Sequence, residues 1–389
     1  MNTTKAELAE IQTVNDVKPI LAAEGPCLSV YLHLSSASPA QSAKTNALEW
    51  RELIRSLEGR IQQFGSQGKE LLASISDWDA ISQGQQPRGR SIAVFRSPDV
   101  FRAVWMDGEV VSRAFAGPRF HIRPLLPELT HDRDFHLLAL SQKNVRLLHC
   151  TTHSSDEIPF PPGVVPSYDA WMNSAKPDHV RDNKASVGPT AGHTKGVMFG
   201  TSSDREDKDE YLAHFFRQID RGIDEVLRGS KQPLVLCAVE YELSLYRSVN
   251  TYQHLATEEV QGAPNSLKSG EMHARALEAL ERCYEKELDA KLAEWNHKAG
   301  GGGSNRLKEV VTAAYDGRVL TLLVSDSLET TGRFDEATHT VHARETDTTD
   351  DEDLVNDAAV QTILHAGQVL VAPNSKMPNG APVAAIYRY

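Results

Sequence analysis

The residues with most chemistry to offer lie in an acid-free stretch. From Asn183 to Ser203 the chain carries Lys184, His193 and Lys195 and no Asp or Glu, although the whole sequence has a formal net charge of −12. Such a stretch is suited to approach a polyanion. At its tip, Ala191-Gly192-His193 joins a glycine, whose backbone reaches φ > 0 and admits a ligand closely, to an imidazole that titrates near neutrality and moves protons. A disordered surface loop is the plainer reading of the same residues, and on the residues alone both stand.

Other candidates carry less. Glu240 and Glu242 follow the apolar run PLVLCAVE, and on a continuing strand they share a face, as paired carboxylates for acid–base work do. No His or nucleophile accompanies them, so a structural role is the plainer reading. GPTAGHTKG superficially resembles a phosphate-binding loop but lacks Gly-Lys-Ser/Thr and a leading strand, which rejects nucleotide binding there. None of the 15 histidines falls in a His-Glu-x-x-His or comparable spacing, so no metal and no cofactor is expected. His121, His131, His136, His149 and His153 read as structural or exposed. Cys27, Cys150, Cys237 and Cys283 are far apart and read as buried thiols.

The elements around the tip differ sharply. PPGVVPSYDAWMNSAKPDHVRDNKASVGPTAGHTKGVMFGTSS has no apolar period and reads as one long loop over 161–203. From Asp204 onward, Tyr211, Leu212, Phe215, Phe216, Ile219, Ile223, Val226 and Leu227 make an amphipathic helical stripe, with Gly229 placed to end it. The loop is thus anchored to a rigid helix. Before the loop, FHLLALS and VRLLHCT read as an antiparallel hairpin, and after the helix PLVLCAVE reads as an inner strand buried on both faces.

Three domains are expected along the 389 residues: an α+β domain over 1–128, a mixed-sheet domain over 129–270 and an α/β/α sandwich over 271–389. In the first, a helical pattern through Leu8, Ile11, Val17 and Leu21 precedes strand CLSVYLHL and two helices. The runs FRAVWMD and EVVSRAFA then read as a hairpin turning at Asp107-Gly108, and Pro118, Pro124 and Pro127 read as a linker. The third begins with a long helix over Met272–Ala299. A helix capped by Ser304 or Asn305 and ended by Gly317, strand VLTLLVS, acidic TDTTDDED, a helix and two strands follow.

An acidic chain, with 41 Lys and Arg against 53 Asp and Glu, excludes nucleic-acid binding over its whole surface, so any RNA contact is local. No apolar run approaches a membrane span, and the start of the chain lacks a signal-peptide layout, so a cytoplasmic protein is expected.

The order of these elements resembles the archaeal and eukaryotic class I peptide chain release factors with Pelota, and in particular their bacterial relatives. FHLLALSQKNVRLLHCT resembles the hairpin opening that family's central domain, and the stretch before DREDKDEYLAHFFRQIDRGIDEVL lies where the family carries its Gly-Gly-Gln loop. NRLKEVVTAAYDGRVLTLLVSDSL, AVQTILHAGQVLVAP and AAIYRY resemble its third domain, a sandwich of the kink-turn-binding ribosomal protein type.

The resemblance implies ribosome and tRNA as partners, a translational GTPase as a further one, and a loop that promotes water attack on the peptidyl-tRNA ester. Its three motif positions fall on Ala191, Gly192 and His193, with Lys184, Ala191 and Lys195 as RNA contacts. Only Gly192 keeps the motif residue. His193 retains the backbone N–H that serves an oxyanion, and Ala191 adds a Cβ. Two readings follow: a rescue or quality-control factor that cleaves the ester, and a ribosome- or RNA-binding protein that kept the fold and lost the chemistry. A third is a small-molecule hydrolase working through Glu240 and its neighbour.

Overall fold

Residues 7–9, 17, 20–35, 38–82, 90–130, 133–174, 202–298, 301–335, 337–343 and 352–389 are described by the computed structural model of the chain. Contacts divide it into two units, one formed by Met1–Asp132 with Glu285–Tyr389 and the other by Arg133–Tyr284.

The N-terminal part of the first unit folds around β1 (Glu7–Ala9), β2 (Cys27–His33), β3 (Ser91–Arg96), β4 (Phe101–Met106) and β5 (Arg113–Gly117), ordered β1-β4-β3-β2-β5. Leu28, Val30, Ile92 and Val94 face helices α1 (Pro39–Leu57), α2 (Gly65–Ser74) and α3 (Trp78–Ser82), burying Trp50 and Trp78. The Trp50 indole N–H donates to the Ile75 carbonyl at 2.8 Å, so the one polar atom of this large ring is satisfied in the core.

Three expectations fail here. Leu8 lies in a strand, because β1 pairs in parallel with β4. β4 and β5 are not a hairpin: β5 pairs antiparallel with β2, and the Gly108 N–H donates to Glu128 Oε1 at 2.6 Å. The stretch with Pro118, Pro124 and Pro127 is not a linker. Phe120, Ile122, Leu125 and Leu126 are buried, and the last begins α4 (Leu126–Thr130). Prolines start turns as well as linkers, and here they bend an apolar segment into the core.

The second unit carries β6 (Phe135–Ala139), β7 (Arg146–Cys150), β8 (Ser155–Ile158), α5 (Tyr168–Ser174), α6 (Ser202–Val226), β9 (Leu234–Ala238), α7 (Glu240–Val249), β10 (Leu255–Gln261) and the start of α8 (Ser269–Lys298). Its sheet runs β10-β9-β6-β7-β8. The expected hairpin is β6–β7, and β9 lies between β6 and β10, parallel to both, with every residue buried. One sheet face packs on Leu212, Phe215, Phe216, Ile219 and Ile223 of α6, and the other on Met272, Ala276, Ala279 and Leu280 of α8.

The C-terminal part of the first unit adds β11 (Gly303–Ser304), α9 (Leu307–Tyr315), β12 (Val319–Ser325), β13 (Thr331–Asp335), β14 (Thr340–Ala343), β15 (Glu352–Asp353), α10 (Leu354–Leu364), β16 (Gln368–Ala372) and β17 (Val383–Tyr387). In the sheet β11-β17-β12-β16, α9 and α10 cover one face while Leu288 and Trp295 of α8 cover the other, giving three layers. Arg306, not Ser304 or Asn305, stands at the N-cap of α9 and makes no side-chain cap bond, while Gly317 has φ +67 just past its end. The acidic stretch reaches α10 as its cap: the Asp353 carboxylate accepts from Val355 N–H at 3.0 Å. The chain is therefore a mixed α/β protein of several sheets. No helix among the described residues is long and apolar enough to cross a membrane.

Candidate functional site

Because β6, β9 and β10 run parallel, their carboxyl ends share one edge, where connections converge and where open α/β sheets place their ligand sites. Both flanks of the 175–201 stretch are fastened near this edge. On the incoming side, Val145 N–H donates to the Pro166 carbonyl at 2.7 Å and Tyr168 N–H to the Gln142 carbonyl at 2.8 Å. These bonds dock the start of α5 on the connection between β6 and β7. The segment over 161–174 is thus not one loop as expected, since its Tyr168 and Trp171 recur at helical spacing.

On the outgoing side the amphipathic helix stands as read, with Leu212, Phe215, Phe216, Ile219 and Ile223 in the core and Gly229 at φ +81. The two flanks are tied to each other. Tyr168 meets Phe215 edge-on with ring centroids 5.6 Å apart, and Trp171 lies 5.9 Å from the same ring. Gln218 binds Val165 twice, accepting from its N–H at 2.7 Å and donating to its carbonyl at 3.1 Å. A Cβ on Gly222 would stand 2.9 Å from Val164 Cγ2, so only glycine lets the helix lie this close to the incoming chain.

Glu240 and Glu242 do not share a strand face. The strand ends at Ala238 and both residues lie in the first turn of α7, about 200° apart around it, so Glu240 is exposed while Glu242 is buried. Burial pushes the Glu242 carboxyl above its usual range, against a 3.4 Å hydrogen bond from Gln142 Nε2 that opposes the shift. Beside it, the Tyr241 hydroxyl donates to Asp209 Oδ1 of α6. Desolvation, followed by that bond, pushes its pKa up to about 12. This edge holds a buried carboxyl whose pKa is raised and a phenol, and among the described residues no nucleophile is aligned to them.

At the opposite end of β6, His149 Nε2 lies 2.5 Å from Asp134 Oδ1. His136 is buried beside it, its pKa lowered to about 4 by burial and by His149. Among the described residues no three His, Cys, Asp or Glu side chains converge as a metal site. Cys27, Cys150 and Cys237 are buried thiols outside any disulfide, and Cys283 is half-buried.

Gly192, His193, Lys184, Ala191 and Lys195 lie outside the described residues. Sequence reading missed the clasp of Tyr168, Trp171, Val165, Gln218 and Gly222. Its one available signal was Tyr168 with Trp171, an i,i+3 pair of aromatic residues inside an apparent loop.

The second unit is thus a mixed sheet in which α5 and α6, the two helices flanking residues 175–201, are tied to each other. Residues 134–318 match the family model described as bacterial archaeo-eukaryotic release factor family 3. Solved structures similar to the chain include an archaeal Pelota in a ribosome-bound assembly with ABCE1 (11% identity, 98% of this chain and 95% of that one, TM-score 0.40). They also include S. cerevisiae Dom34, a termination-like factor interacting with Hbs1 (14%, 80% and 77%, 0.36). A third is the archaeal termination factor aRF1 (14%, 98% and 100%, 0.23). No curated protein matches the chain.

Proposed function

We propose that this protein is a release-factor- and Pelota-like factor that binds ribosomes in rescue or translation quality control. The family match over 134–318 carries the reading, and the clasp at the base of the acid-free stretch supports it. In this reading α6 and α5 present residues 183–203 to the acceptor end of a tRNA, with Gly192 and His193 at the tip and Lys184, Ala191 and Lys195 against RNA. A translational GTPase is the further partner.

Two chemistries are open to such a tip. In the first, the His193 backbone N–H stabilises the developing oxyanion and its imidazole assists the attacking water. In the second, the protein binds and does not cleave. Ala191 and His193, standing where the release factors carry glycine and glutamine, favour this second reading.

One experiment separates them: co-sedimentation of the protein with ribosomes carrying peptidyl-tRNA, scoring bound protein and freed peptide in one sample beside His193→Ala. Release that falls with the variant supports the hydrolase. Binding without release supports the non-catalytic factor, and absence of binding overturns the ribosomal reading.

A further inference from the structure

Asn379 and Gly380 form the one Asn-Gly step in the sequence. They lie between β16 and β17, in the second of two short helical turns, Asn374–Lys376 and Pro378–Gly380. Met377, between the turns, is buried in one cluster with Leu288 and Trp295 of α8, so the connection is pinned from beneath while Asn379 and Gly380 stay exposed. Both exposed residues are left-handed, Asn379 at φ +56 and Gly380 at φ +63. Asparagine is among the few residues with a side chain that visit this region routinely, and they do so at some cost.

An asparagine followed by glycine is chemically labile. The backbone nitrogen of the next residue attacks the side-chain carbonyl carbon, a five-membered imide closes and ammonia leaves. Water then opens the imide at either carbonyl, giving aspartate or, with the main chain rerouted through the side-chain carbon, isoaspartate. A Cβ on the next residue obstructs the attack, and glycine has none. Here closure requires the peptide between Asn379 and Gly380 to turn from ψ 25 until its nitrogen meets Cγ. Space for that turn is open, because a Cβ built on Gly380 would meet no described atom within 4 Å. The Gly380 N–H donates to the Met377 carbonyl at 3.1 Å, and opening this bond leaves the β12–β17 ladder in place, since its pairs on β17 run from Val383 onward.

We propose that Asn379-Gly380 is a self-modification site of the folded chain. The Gly380 nitrogen displaces the Asn379 amide as ammonia, and water opens the resulting imide to isoaspartate and aspartate. Water is the only co-reactant, and nothing is oxidised or reduced. Each event adds a negative charge to the connection between β16 and β17. The iso form also adds a methylene to its backbone, beside the Asn305 Nδ2 donation to the Pro378 carbonyl at 3.2 Å that fastens this turn to the approach of α9. The inference stands apart from the ribosomal reading, because it concerns the first unit.

The test incubates the folded full chain in heavy-oxygen water at mildly alkaline pH and follows position 379 by peptide mass spectrometry. An isoaspartyl methyltransferase with labelled S-adenosylmethionine counts the iso form. Asn374 is the internal comparison, exposed in the preceding turn and followed by Ser375, which carries a Cβ. We expect Asn379 to convert at least about tenfold faster than Asn374, with heavy oxygen taken up and isoaspartate in excess over aspartate. Gly380→Ala should slow conversion at least about tenfold, and Asn379→Gln should abolish methyl acceptance at this position. The readouts on the parent chain decide the matter whether or not the variants fold. An Asn379 that stays intact, aspartate without isoaspartate, or undiminished conversion in a folded Gly380→Ala overturns the proposal.

Discussion

Arg123 and Asp353 stand 230 positions apart and form a buried ion pair, Nη1 to Oδ2, at 3.2 Å. Arg123 also donates to the Ser325 carbonyl at 2.9 Å, and Asp353 caps α10, so the pair joins the 118–130 segment to both β12 and α10. Burial raises the Asp353 carboxyl above its usual range in spite of the adjacent guanidinium. Desolvation therefore outweighs attraction here, and the pair selects an arrangement more than it stabilises one.

Removing one partner alone leaves the other buried without compensation. Arg123→Leu is expected to destabilise the first unit by about 3–5 kcal/mol in urea denaturation. Asp353→Asn keeps the cap but strands the guanidinium, and the double variant should lose clearly less than the sum of the two. Strict additivity would mean that the two side chains are not coupled.

Two histidines set an acid limit. Burial, followed by Arg123 and Arg113, lowers His121 from 6.5 to about 3, and burial with His149 lowers His136 to about 4. Each folded-state value lies below the unfolded one, so in that window the unfolded chain binds more protons and stability falls as pH drops below about 6.5. Above neutrality the two contribute no slope. Each should remove up to about 1.4 kcal/mol per pH unit on the way down. Denaturation midpoints at pH 7.5, 6 and 5 measure this, and His121→Asn should flatten the slope for the first unit alone.

How much of this was legible follows from the range of the forces involved. The stripe from Leu212 to Ile223, the β6–β7 hairpin and the inner strand Leu234–Ala238 are written in local period and were readable. Partner choice in a sheet is not local. Asp107-Gly108 has the composition of a hairpin turn, yet β5 pairs with β2, some eighty positions away, and Glu128 holds the Gly108 N–H. Phe120, Ile122, Leu125 and Leu126 gave an apolar signal that the prolines obscured. Glu240 and Glu242 were misplaced because the apolar run ends one residue before a helix whose first turn welcomes carboxylates, a boundary that alternation cannot mark. The candidate tip, Gly192 with His193, was read from residue type alone and lies outside the described residues.

Gly222 should be irreplaceable by larger residues even though it interrupts a helix, where glycine ordinarily costs about 1 kcal/mol relative to alanine. Val164 Cγ2 and Phe160 Cδ1 occupy the space that a side chain would need, at 2.9 and 3.3 Å from a Cβ. Gly222→Leu is expected to cost about 1–3 kcal/mol through overpacking and to open the 161–174 segment to protease first. A variant more stable than the parent would show that Val164 moves aside freely.

Glu242 distinguishes a ribosomal factor from a soluble hydrolase. It is the buried carboxyl at the sheet's carboxyl edge, held protonated more readily than an ordinary glutamate, and so is suited by pKa to acid–base work. Its neighbours argue otherwise: Gln142 is its side-chain partner, and Glu240 points to solvent from the same turn. In the ribosomal reading Glu242 orders the connection after β6, near the start of α5, and takes no part in chemistry. Glu242→Gln keeps the shape and the capacity to bond Gln142, so it should leave ribosome binding and peptide release within about twofold of the parent, a change worth less than 1 kcal/mol. Glu242→Leu removes the polar contact and should loosen 161–174 as seen by amide exchange, without creating or abolishing activity on soluble esters. If Glu242→Gln instead abolished cleavage of a soluble ester in the absence of ribosomes, the chemistry would lie at the sheet edge, and residues 183–203 would be freed of any catalytic role.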